Sequence, residues 1–180
     1  MSDNKNQARS LLSLIIFVVI GYSIYSSLTK TSNGPSETTT TVGQQSVYLG
    51  SAAPDGQLTF TASGVVCGFT TVGSDGFGGV GATAQGVYCK VHVVILNHST
   101  SSATYFASNQ FAYDERGRKF TADDTADTYG NSNGGMSGTS INPGNSINGF
   151  VFYDIPRGDS ITAFEFHDST FSGGVLVTNQ

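Results

Sequence analysis

Two cysteines, three histidines and a scatter of carboxylates are the chemically capable side chains of this 180-residue sequence. Cys67 and Cys89 are its only thiols, and an even pair in an oxidising compartment is most simply a disulfide. A two-cysteine metal site would need further ligands close by, and only His92 and His98 are near in sequence. Asp114, Asp123, Asp124 and Asp127 surround one short segment and supply the oxygen ligands that calcium prefers. Their spacing is not that of an EF-hand loop, so a weak cation site competes with ordinary surface aspartates beside turns.

Three short motifs invite catalytic or adhesive readings. Residues 76–81 spell G-x-G-x-x-G, whose glycines let a pyrophosphate approach a helix N-terminus, yet the residues after Gly81 lead into a strand. Residues 130–134 spell G-x-S-x-G, with Ser132 as nominal nucleophile and His167 and Asp154 as partners on paper. That match lies in a Gly/Ser/Asn tract at 130–140, where it arises by composition, and a nucleophile elbow needs a strand before it and a helix after. Arg157-Gly158-Asp159 is the integrin-type tripeptide, but after Pro156 the same residues serve a turn. The sequence therefore predicts no catalytic residue, no cofactor and no resident metal. An envelope serine hydrolase acting through Ser132 is the enzymatic alternative.

The elements that would carry these residues alternate with a period of two. Val87, Cys89, Val91, Val93 and Ile95 form one face of a half-buried strand, while Tyr88, Lys90 and His92 take the other, solvent-facing side. Leu58, Phe60 and Ala62 alternate with Thr and Ser and run on toward Cys67. Further strands are expected at 110–113, 119–122, 147–153, 163–167 and 175–177. The 147–153 strand is apolar on both faces, which predicts a central place in a sheet. Asp114-Glu115-Arg116-Gly117, Pro143-Gly144 and Pro156-Arg157-Gly158-Asp159 supply turns. No stretch past Val47 holds ten residues of helical period. About seven short strands with frequent turns predict a β-sandwich, its two layers closing around the sulfur bridge.

Residues 11–28 are uncharged and mostly apolar, with Lys5 and Arg9 before them and Lys30 after. As a helix they would rise ~27 Å, close to the hydrocarbon core of a bilayer. The segment reads as a transmembrane anchor, with residues 1–10 cytoplasmic by the positive-inside tendency and the rest outside. A cleaved signal peptide is the competing reading, although no A-x-A-like site follows, and it would make the chain secreted. Residues 29–46 are Ser/Thr-rich and read as a flexible stalk, leaving 47–180 as the folded domain. Beyond residue 43, five Lys/Arg stand against eleven Asp/Glu, a net of −6 that disfavours nucleic acid as a partner.

The segments DGQLTFTASGVVCG, AQGVYCKVHVVILNHS, YDERGRKFTAD, INPGNSINGFVFYDIPRG and FEFHDSTFSGGVLV occur in order across residues 55–177. Together they resemble an actinobacterial family of exported immunoglobulin-like domains of unknown function. That family is grouped with the mycobacterial immunoprotective extracellular antigen and is sometimes mislabelled telomeric-repeat-binding. The resemblance implies an immunoglobulin-like sandwich behind a membrane helix or lipid anchor and assigns no catalytic residue. No lipobox cysteine follows Ile20, which leaves the membrane helix. The resulting expectation is an exported binding module for an extracellular protein or glycan, using loops such as 73–81 and 130–140. A structural or antigenic surface module without a specific ligand is the alternative.

Overall fold

The structure is a computed structural model and describes residues 44–73 and 80–179. The predicted membrane segment at 11–28, the residues before it and most of the stalk lie outside the described residues, as does most of the 76–81 glycine segment. Among the described residues, no helix is long and apolar enough to cross a membrane.

Period-two alternation is realised as strands β1 (Ser46–Tyr48), β2 (Ala52–Asp55), β3 (Leu58–Val72), β4 (Ala82–Asn97), β5 (Ala103–Tyr105) and β6 (Phe111–Asp114). After β7 (Lys119–Thr121) comes a seven-residue α-helix, α1 (Asp124–Gly130), then β8 (Thr139–Ile141), β9 (Ser146–Ile155), β10 (Ile161–Phe166) and β11 (Val175–Thr178). One sheet runs β1-β11-β10-β6-β7, with β1 parallel to β11; the other runs β2-β3-β4-β9. β5 and β8 pair as a small separate ribbon.

The two main sheets share one core. Cys89, Val91, Val93 and Ile95 are buried, as the alternation of β4 predicts. Phe60 stacks on Phe166 at 5.3 Å between ring centroids, and Tyr153 meets Phe164 at 5.7 Å, joining the four-stranded sheet to its partner layer. The described residues therefore form an all-β sandwich. The turn at 114–117 joins β6 to β7, with the Gly117 N–H donating to the Asp114 carbonyl at 3.0 Å and φ of +71° that glycine alone adopts without strain.

Three expectations need correction. First, β9 is not central but lies at the edge of its sheet. Its second apolar face, Phe150 and Phe152, is covered by α1 and the residues after it rather than by flanking strands, so two-sided hydrophobicity reported a covering element. Secondly, Tyr88 is buried rather than solvent-facing, because α1 packs over it in a satellite cluster with Ala126 and Phe152. Thirdly, the disulfide does not join the two layers. Cys67 and Cys89 face each other across β3 and β4, within one sheet. Antiparallel neighbours place directly opposed side chains close enough for a bridge without help from a second layer.

Candidate functional site

The outer face of the β2-β3-β4-β9 sheet carries a recess beside α1, and local sequence chemistry explains how it is built. Asp123 caps the helix by accepting from the Thr125 and Ala126 N–H groups, and its other carboxylate oxygen accepts from the Tyr88 hydroxyl at 2.9 Å. The Asp123 N–H donates to the Phe152 carbonyl at 2.9 Å, fixing the helix start to the edge of β9. The chain leaving Gly130 then folds back across β9 instead of into solvent.

Asn131 makes that fold-back possible. Its side-chain amide donates to the Phe150 carbonyl at 2.8 Å and accepts from the Phe150 N–H at 2.7 Å, taking the place of a neighbouring strand. Gly149 admits this approach, since a Cβ there would stand 2.7 Å from both Asn131 Oδ1 and Met136 Sδ. Asp127, almost wholly buried, accepts from the Met136 and Ser137 N–H groups at 2.8 Å each and from Asn131 Nδ2 at 3.0 Å. Burial raises the Asp127 carboxyl above its ordinary range and outweighs the donors that favour its charged form. On the far side, the Gly138 N–H donates to the Tyr105 carbonyl at 2.8 Å, and β8 begins. The 131–138 segment is thus fastened at both ends and in the middle.

A cavity of about 740 Å³ lies between this segment and the sheet. Phe150, Ile147 and Met136 provide its apolar surface, and His92 stands against Phe150 in an edge-to-face contact at 5.5 Å. Ser132, Asn133, Thr139 and Asn148 supply polar groups. Lys90 flanks the recess with its ammonium 4.4 Å from the centre of the Phe150 ring and 4.8 Å from that of Phe69. The predicted 130–140 loop therefore does line a ligand-sized recess, whereas most of the 73–81 loop lies outside the described residues. His92, Asn148 and Phe150 carry no motif. Their only sequence signal was outward register on strands, which does not say what lies above them.

The paper triad is not assembled. Asp154 accepts from the Gln85 and Gly86 N–H groups, Ser132 lies in the recess, and His167 bonds elsewhere. A helix ends at Gly130 where a nucleophile elbow needs a strand. His167 instead joins a hydrogen-bond chain on the opposite sheet. Its Nε2 meets Glu165 Oε1 at 2.9 Å, and its Nδ1 meets Ser172 Oγ at 3.1 Å. The Ser172 hydroxyl donates to the Ser169 carbonyl at 3.0 Å, so its hydrogen is already directed away from the imidazole. Glu165 also receives Tyr113, Lys119 at 3.0 Å and Gln44 at 3.2 Å, the arrangement of a neutralised inner carboxylate rather than a relay.

The four aspartates weighed for calcium have separate duties. Asp114 accepts from the Arg116 and Arg118 backbones and from Arg118 Nε, while Asp123 and Asp127 are engaged as above. Asp124 accepts from Ser137 Oγ. Among the described residues, no three His, Cys, Asp or Glu side chains converge as a metal would require. Asp159 of the adhesion tripeptide is bonded to Arg118 and lies 3.4 Å from Arg116, which withholds its carboxylate from a partner.

The fold and the recess together define a β-sandwich with a preformed groove on one outer face. The chain belongs to the family described as Domain of unknown function (DUF4352), which matches residues 47–176. No curated protein matches it. Among solved structures it is similar in fold to MPT63, a secreted protein from Mycobacterium tuberculosis. The two share 15% identity with a TM-score of 0.56, over 76% of this chain and 98% of that one. It is also similar to the yjhA protein from Bacillus subtilis, at 15% identity and a TM-score of 0.50, over 73% and 97% of the respective chains.

Proposed function

We propose that this chain is a membrane-anchored module displayed outside the cell, which works by binding a ligand in the groove beside α1 rather than by catalysis. The observation that carries this reading is a recess of ligand size whose wall is held in place before any ligand arrives, through Asp127 and Asn131. Export is supported by the uncharged 11–28 segment and by a disulfide, which persists in oxidising compartments. Within its family, the ordered segments at 55–177 favour the group of the mycobacterial immunoprotective antigen. The full chain, immobilised and exposed to an envelope extract, should enrich a component that Asn148→Ala no longer holds. Equal enrichment by both proteins, or by neither, would sink the groove as the binding surface.

A further inference from the structure

We infer that the groove takes an uncharged saccharide, an inference that rests on the reading of the groove as the ligand seat. The polar side chains of the recess fall into two sets. Asn131 is consumed by the backbone of β9. His92, Ser132, Asn133, Thr139 and Asn148 make no side-chain hydrogen bond to any described residue, and all five line the same recess. Each of them, whether imidazole, hydroxyl or amide, both donates and accepts. A ligand bearing sugar hydroxyls, which likewise donate and accept, satisfies such a set without leaving a polar group unmatched.

Competing ligand classes fit less well. Among the described residues, no Asp, Glu, Lys or Arg side chain lines the recess, so a charged ligand would surrender its hydration without gaining a counter-charge there. Lys90, which flanks the recess, is held over two aromatic rings. An extended peptide adding to the sheet would need the free edge of β9, and there the Phe150 N–H and carbonyl are taken by Asn131 and the Phe152 carbonyl by Asp123. Phe150 and Ile147 supply the apolar surface that the C–H face of a sugar ring covers.

The test measures binding of the full chain to three neutral hexasaccharides (cellohexaose, maltohexaose and chitohexaose), to an oligogalacturonate and to an uncharged octapeptide. Asn148→Ala and His92→Ala are the variants, each checked for an unchanged melting temperature. Binding of a neutral hexasaccharide, weakened at least tenfold by both variants, is the expected result. If only the oligogalacturonate or the peptide binds, and the variants weaken that binding, the saccharide assignment falls while the groove survives as the seat. A saccharide bound equally by wild type and variants overturns the groove itself. Absence of binding by all three neutral sugars also overturns the saccharide assignment.

Discussion

Carboxylates in this domain are occupied chiefly with their own chain. Asp55 accepts from the Asp168 and Gly174 N–H groups, Asp168 from that of Gln57, and Asp154 from those of Gln85 and Gly86. The acidic balance of the domain is therefore largely spoken for and is a poor guide to a partner. Glu165 is the most heavily engaged. Partial burial raises its carboxyl, but hydrogen bonds from Tyr113, Lys119 and His167 outweigh that and bring it down to about 2. A carboxyl whose folded value lies below its ordinary 4.5 stabilises the fold above that pH and loses the contribution as pH falls toward about 2. The shift corresponds to stabilisation on the order of 3 kcal/mol. Denaturant titrations between pH 6 and about 2 should show wild type losing more stability than Glu165→Gln across this window. Parallel curves for the two proteins would refute the assignment.

At the scale of elements, the cross-strand disulfide staples a hairpin rather than a sandwich. It closes a sequence separation of 22 residues, for which loop entropy predicts about 3 kcal/mol of stabilisation. Because both cysteines lie in β3 and β4, reduction should lower the denaturation midpoint and speed amide exchange first in the 63–72 arm, leaving β10 and β11 for last. Uniform loss of protection across both sheets would show that the bridge serves the whole core instead. Much of this architecture was legible in the sequence. β3, β4, β6, β7, β9, β10 and β11 were all anticipated, and so was the turn at 114–117. β1, β2, β5 and β8 are three or four residues long and carry few large apolar side chains, so little sets them apart from the surrounding Ser/Thr/Gly-rich chain. Asp123 is a good cap, but seven residues give a helix no readable stripe, so α1 went unforeseen and with it the burial of Tyr88 and the cover over β9. The groove depends on that cover. Its loop was singled out by composition, while its floor of His92, Asn148 and Phe150 follows from tertiary contacts alone.

For the whole molecule, one sheet face is committed to a ledge of helix and loop while the other carries the Glu165 network, so the two outer surfaces have unequal tasks. Under the proposed display outside the cell, only the groove-bearing face would meet the ligand. Protease added to intact cells should remove residues 47–180 and leave a cytoplasmic control protein untouched. Recovery of the whole domain from the cytosol after that treatment would end the proposal of export. The parallel pairing of β1 with β11 adds one more property: Ser46 lies across from Leu176 and Tyr48 from Thr178. Because the pairing is parallel, entry at Ser46 and exit at Thr178 lie at opposite ends of this short pair, yet only about 8 Å apart, two rises of ~3.3 Å along the strand and one strand spacing of ~4.8 Å across it. Such a module can be grafted into a surface loop of an unrelated host, or recut with its old ends sewn together, without opening the scaffold.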